Sequence, residues 1–411
     1  MRLPNLRGIY RRDSKPARFL LTLLFSGICA GLYKGIQDNY LAEIVHISEF
    51  GRGIVEFFRE IPGLLVVVLL AWMYRFSETR VFKLGVAGMC LGLLGLFGFP
   101  AEKVLVVLAM VVYSTGEHII MPVRTTMSLN LAQSGKEGIS LGITGALGHG
   151  GNIAGFLAVM AVFGAFKALG FSGSPALPFK AVFGIAAAFG AGALLISLSL
   201  RDSGVAVKRR RLYFARKFHK YYMLEVFYGA RKQIFLTFAP YVLILHYGAD
   251  ASVISLLMAV CAVFGFVFSP LTGKLIDKLG YKVIMVTDTL LLVVVCFFYG
   301  FAHRIFPFRV AFFVVCANYI LDAVISLASM ASNVYVQAIA SSQEEVTATL
   351  STGISVNHLI SILIALLGGW IWQATGIEVL FSLSAFLGIL NSIYAATITT
   401  VEKRQIPVCG N

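Results

Sequence analysis

Eight ionisable side chains stand inside long apolar runs of this chain: Lys34, Glu117, Arg124, His149, Arg231, Lys232, Asp322 and His358. A charge at the middle of a bilayer costs at least about 2.5–3.5 kcal/mol on insertion scales, so residues of this kind mark solute or ion pathways. The cations suit an anion: Arg presents a planar fork to carboxylate or phosphate, and Lys a point charge. Lys34, Arg124, Arg231 and Lys232, with His149 and Asn152, are therefore the candidate substrate-binding residues. A carboxylate in a low-dielectric site holds its proton more tightly than in water, and imidazole titrates near neutral pH unaided. Glu117, Asp322 and His358 are accordingly the candidate proton-coupling groups.

Other charges have local partners at helical spacing. Lys34 and Asp38 are four apart, and Glu56, Arg59 and Glu60 form a possible triad, read as an outer gate or a structural ion pair. Glu117 and Arg124 are seven apart, on one face but too distant to pair, which leaves both for other helices. Glu225 is read as reaching from the end of its span toward water. No metal-ligand spacing, His-box or nucleophile motif is present, so the sequence predicts no enzyme, no metal and no cofactor. The six cysteines form no Cys-x-x-Cys pair.

The elements that position these residues follow from composition. Hydrophobic residues make up 58% of the 411-residue chain and charged residues 13%, with a mean hydropathy of +0.84. Soluble domains are about 45–50% apolar and about 25% charged, so the pattern is that of an all-α integral membrane protein. At about 20 apolar residues per span, the chain divides into twelve spans: 18–45, 52–75, 81–99, 104–131, 138–168, 177–200, 223–247, 251–272, 281–302, 308–340, 345–373 and 377–400. Lys and Arg fall 23 on one side of these spans and six on the other, which places both termini and the 201–222 segment in the cytoplasm. The net charge of +14 is thereby ascribed to topology and headgroup contact, not nucleic acid.

The basic 201–222 segment, with Lys208-Arg209-Arg210-Arg211, separates an N-terminal bundle over 1–200 from a C-terminal bundle over 223–411. The halves echo one another. An Asn/His pair follows an acidic loop in each, His149 and Asn152 after Glu137, and Asn357 and His358 after Glu345. Such internal repeats are common in transporters. Between spans eight and nine stands Gly273-Lys274-Leu275-Ile276-Asp277-Lys278-Leu279-Gly280-Tyr281-Lys282. It resembles the Gly-x-Leu-Ala-Asp-Arg-x-Gly-Arg-Lys loop signature of the major facilitator superfamily. The matching first-half loop, 71–80, departs from the signature and has Arg75 where Asp is expected. Gly148-His149-Gly150-Gly151 lies where some efflux members carry Gly-Pro-x-x-Gly-Gly, and lacks the proline.

The resemblance implies twelve transmembrane helices in two pseudo-symmetric six-helix bundles. It implies that helices one, four, seven and ten line a central cavity, which turns Lys34, Glu117, Arg124, Arg231, Lys232 and Asp322 inward. It implies a gating motif of Gly273, Asp277, Gly280 and Lys282, with Asp277 latching one conformation. Organic-anion carriers of the family place basic residues on helices one and seven, as Lys34 and Arg231 stand here. The expected function is a proton-coupled secondary transporter of a small organic anion, a monomer whose partners are solute, protons and lipid, in a bacterial inner membrane. Proton-driven efflux of amphipathic or cationic compounds is the alternative; a membrane-embedded enzyme or transporter-like sensor is the alternative of another class.

Overall fold

The computed structural model describes residues 8–10, 16–73, 75–201 and 213–399. Lys208–Arg211, the N-terminal cations Arg2, Arg7, Arg11, Arg12 and Lys15, and Lys403 and Arg404 lie outside them. The described residues form thirteen α-helices: α1 Pro16–Asn39, α2 Glu49–Trp72, α3 Glu78–Gly98, α4 Lys103–Leu131, α5 Glu137–Ala168, α6 Ala176–Leu198, α7 His219–Tyr247, α8 Ala251–Leu279, α9 Tyr281–Ile305, α10 Phe308–Ile325, α11 Met330–Ile339, α12 Gln343–Thr375 and α13 Ile377–Ala396. A π-helical turn, Tyr40–Ile44, extends α1, and a 3₁₀ turn, Ser326–Ser329, joins α10 to α11. With α10 and α11 taken as one broken helix, ten segments are long and apolar enough to cross a membrane. The protein is an integral, multi-pass membrane protein. The two long helices outside that set, α2 and α7, carry Arg52, Glu56, Arg59 and Glu60, and Glu225, Arg231 and Lys232.

The chain forms two compact units. The first comprises Met1–His46, Leu65–Arg209 and Asp250–Ala259; the second comprises Ile47–Leu64, Arg210–Ala249 and Val260–Asn411. Chain order alone would put 47–64 with the first unit and 250–259 with the second.

In the first unit, α1 is the buried centre and packs on α5 and α6, while α3 packs on α4. Glycine makes the α1–α5 seam. A methyl on Gly31 would stand 2.2 Å from the Asn152 carbonyl oxygen, and one on Gly155 2.5 Å from that of Ile28. Gly27 and Gly151 meet in the same seam. Between α3 and α4, Gly116 meets the Gly85 carbonyl in the same manner, at 2.4 Å. Helices in lipid lack a hydrophobic drive to associate, so such close backbone approach supplies the packing energy. Of the glycine-rich α5 stretch, Gly148, Gly151 and Gly155 have close neighbours, whereas Gly142, Gly145 and Gly150 have none within 4 Å among the described residues.

In the second unit α7 is the centre, with Phe238, Ala239, Tyr241, Val242 and Leu243 fully buried against α9, α12 and α13. The first half of α2 joins this unit through Gly53, where a methyl would lie 2.2 Å from the Ala365 carbonyl oxygen of α12. Tyr241 donates to the Ile47 carbonyl at 2.5 Å. Gly280 alone separates α8 from α9, at φ +84°, a left-handed conformation that a side chain would strain.

Gly31→Ala is expected to destabilise the protein by about 1–3 kcal/mol, because its methyl meets backbone that cannot turn away. Gly150→Ala, with open space around it, is expected to be neutral or slightly stabilising. Thermal unfolding in detergent compares the two; equal losses would remove the seam from this account.

Candidate substrate and proton sites

The first unit holds Lys34, Glu117, Arg124, His149 and Asn152. Lys34 of α1 donates to Glu117 Oε1 of α4 at 2.6 Å, a pair between two helices that each supply one buried-side charge. Lys34 is 38% exposed and Glu117 20%, so the pair is partly open. Asp38, four residues along α1, is buried. Arg124, two turns after Glu117, is half-buried, and its Nη1 lies 3.6 Å from where a Gly148 methyl would be. It makes no ion pair among the described residues. Asn152 is half-buried with its carbonyl against Gly31, while His149 is exposed. The two are three residues apart on α5; the Asn152 backbone packs in the glycine seam, while His149 is exposed.

The second unit holds two clusters. The first joins α2, α7 and α12. Glu56 accepts from Arg52 Nη1 at 2.8 Å, Arg59 Nε at 2.9 Å, Arg59 Nη2 at 2.5 Å and Gln233 Nε2 at 3.0 Å. Arg59 also donates to Glu60 at 2.8 Å, and Glu60 Oε2 meets His358 Nδ1 at 2.8 Å. Arg52 and Glu56 are each 1% exposed, so this is a buried, hydrogen-bonded charge network. The sequence triad of Glu56, Arg59 and Glu60 is thus part of a larger network: Arg52, the first residue of the span read from the sequence, is inside α2 and joins it, and Gln233 and His358 complete it.

The second cluster surrounds Arg231 of α7, which is 2% exposed. Its Nη2 lies 3.4 Å from Asp288 Oδ2 of α9, and the Tyr228 ring stands 5.1 Å from its guanidinium carbon. Arg231 Nε is buried with no hydrogen-bond partner. Tyr228 also donates to the Ser326 carbonyl at 3.3 Å, which Ser329 Oγ reaches at 2.8 Å, where α10 gives way to the 3₁₀ turn. Asp322 lies one turn before that break, half-buried. Neither Asp322 nor the half-buried Lys232 forms an ion pair among the described residues. Glu225 does not reach for water; Ser332 and Asn357 both donate to it at 3.3 Å.

In the loop motif, Asp277 is exposed near the end of α8 and Lys282 is half-buried in the first turn of α9. Gly280 makes the turn, but Gly273 has nothing within 4 Å among the described residues, so it mediates no close helix contact there.

Sequence reading overlooked Asp288. Its signal was present as Thr287-Asp288-Thr289, a polar interruption of the apolar run of α9. Gln233 was unmarked because an uncharged amide in an apolar run costs less than a charge. Only its burial at 2% and its position over Glu56 give it a role.

Residues 222–409 match the family model described as Major Facilitator Superfamily. No curated protein matches the chain by sequence. Among solved structures, the fold is similar to that of the nucleoside transporter NupG (D323A mutant), with a TM-score of 0.73 and 14% identity over 93% of this chain and 100% of that one. A D-xylose–proton symporter gives a TM-score of 0.73 at 14% identity, covering 93% of this chain and 97% of that one. A POT family transporter in complex with a thioalcohol-conjugated peptide gives 0.72 at 10% identity, covering 92% and 94%. At these identities the likeness is one of fold.

Glu56→Gln would leave Arg52 and Arg59 buried without their shared counter-charge. Removing one partner of a buried pair costs about 3–5 kcal/mol. The variant is expected to lose that much stability or to fail to accumulate as folded protein. A wild-type unfolding temperature would contradict the assignment of Glu56 as the centre of the network.

Proposed function

With the chain taken as a protein of the Major Facilitator Superfamily, we propose that it is a secondary active transporter. By alternating access it moves a small organic anion together with protons. The observation that carries the anion reading is the pair of half-buried cations, Arg124 and Lys232, that lack an ion pair among the described residues. The buried, unpartnered Nε of Arg231 adds a third donor without a protein acceptor. A carboxylate or phosphate supplies the missing acceptors, bidentate for Arg and as a point charge for Lys. In this proposal Lys34, Arg124, His149, Asn152, Arg231 and Lys232 are the solute-binding residues.

Proton coupling rests on Asp322, a half-buried carboxylate with no contact ion pair among the described residues. Its protonation state is not fixed by a neighbouring cation at contact distance. Glu117 couples differently: a proton on it releases Lys34, its partner at 2.6 Å. His358 is held by Glu60, so its proton is shared with the α2 network. Gly273, Asp277, Gly280 and Lys282 are proposed as the gating loop. Six spans on each side of 201–222, with both termini in the cytoplasm of a bacterial cell, complete the arrangement we propose.

A thermal-shift screen of purified protein across carboxylates, phosphates, sugars and hydrophobic cations tests the reading. Carboxylates or phosphates are expected to stabilise the wild type, and Arg124→Gln or Lys232→Gln to abolish the shift with the fold intact. Stabilisation by hydrophobic cations alone would overturn it in favour of efflux. Asp322→Asn is expected to preserve the ligand shift and remove its pH dependence. Once a transported ligand is known, Asp277→Asn is expected to slow turnover in proteoliposomes while leaving ligand stabilisation unchanged; unaltered turnover would remove Asp277 from the gate.

A further inference from the structure

The second unit has a polar cavity at the end where α7 and α9 finish and α2 and α13 begin. Glu49, His246, His303, Trp372, Gln373 and Glu378 line it. His303 Nε2 lies 3.3 Å from Glu378 Oε1. Glu378 is itself held by Arg304, whose Nε donates to the same oxygen at 2.7 Å. The carboxylate is thus pinned from one side and orients the imidazole from the other.

His303 Nδ1, on the opposite edge of that ring, is buried and has no hydrogen-bond partner. A neutral imidazole that donates through Nε2 carries its lone pair on Nδ1. The arrangement leaves a nitrogen lone pair that no protein group fills, on a ring that lines the cavity. A second imidazole stands beside it: the ring centroids of His246 and His303 are 4.9 Å apart. His246 is exposed, so its ring has room to turn toward a shared ligand. Glu49, half-buried on the same cavity wall, offers a carboxylate that reaches the two imidazoles only if its side chain swings toward them.

A carboxylate that fixes one ring nitrogen while the other is presented is the setting in which histidine ligates metal. Two imidazoles with one carboxylate suit zinc, nickel or copper, whereas calcium and magnesium favour all-oxygen sites. We propose that His303 and His246 bind a divalent transition-metal ion of the Zn²⁺ type. His303 ligates through Nδ1, Glu49 and water complete the coordination, and Glu378 acts as the orienting partner of His303. The site is independent of the solute and proton sites proposed above, and it gives the second unit a metal-responsive element at this end.

The test uses the full chain in detergent at near-neutral pH. Zn²⁺ is titrated in competition with a chromophoric chelator, and Co²⁺ serves as a spectroscopic probe of geometry. One equivalent of Zn²⁺ is expected to bind in the micromolar range, with Co²⁺ giving the intense visible bands of a four-coordinate site. His303→Gln and His246→Gln are each expected to abolish the bands, and Glu378→Gln to weaken affinity by about 10–100-fold, as for other orienting partners. His358→Gln is expected to leave binding unchanged. Since His246 is exposed, its variant reports on the site without threatening the core. Absence of stoichiometric binding in the wild type, binding retained in both His246→Gln and His303→Gln, or loss on His358→Gln instead would each overturn the proposal.

Discussion

Taking a guanidinium or carboxylate out of water costs several kcal/mol per ion, and only close counter-charges with satisfied hydrogen bonds return it. Arg52 and Glu56, each 1% exposed, impose that condition on the first half of α2. Glu56 meets it by accepting from Arg52, Arg59 and Gln233. Glu60 meets it through Arg59 and His358. Because Gln233 stands on α7 and His358 on α12, satisfying α2 fixes three helices of the second unit together. The segment 47–64 belongs to that unit for the same reason. Its charges find their partners there, and Gly53 lets its backbone come close enough for them to do so.

In the first unit the organising device is close packing of backbone. Gly27 and Gly31 of α1 meet Gly151, Asn152 and Gly155 of α5, and no side chain intervenes. The charged residues are then free of a structural duty in that seam. Lys34 and Glu117 instead link α1 with α4 through their side chains. Arg124, two turns along α4, has the α5 backbone at Gly148 as its near neighbour and no carboxylate at contact distance among the described residues.

Much of this was legible in the sequence, and the boundary of legibility has a physical cause. Apolar run length gave the helices, since the bilayer demands about 20 apolar residues per span. The Gly280 turn was readable because the Asp277–Gly280 motif has a fixed conformational requirement. Pairings between helices were not readable. Sequence spacing reports neighbours three and four apart on one helix. It is silent on which helix faces which. Hence Glu56, Arg59 and Glu60 were recognised as a local group, but His358 and Gln233 were not joined to it. Lys34 was paired by spacing with Asp38, while its contact at 2.6 Å is Glu117, 83 residues away. Asp288 shows a different limit: a single acid among threonines reads as a polar blemish until Arg231 is seen opposite it. The glycines of α5 show a third, because composition cannot say which of them face a neighbour.

The strengths of these pairs bear on which of them a solute can exchange. A ligand moves a conformational equilibrium only by its differential affinity for the two states. Ion pairs that are short, buried and multiply hydrogen-bonded, as around Glu56, are costly to break and therefore suit permanent structure. The Arg231–Asp288 contact is of another kind: a single bond at 3.4 Å, outside the usual range for a charge-assisted hydrogen bond, with Arg231 Nε left over. An incoming acceptor that took the unmet Arg231 Nε would gain a donor without having to displace Asp288, whose loss of its counter-charge would be costly. Tyr228 stands over that same guanidinium and bonds to the Ser326 carbonyl, which connects Arg231 by contact to the place where α10 gives way to a 3₁₀ turn. Of the two charged clusters described in the second unit, this is the one with a guanidinium donor left unmet, and it adjoins the break between α10 and α11.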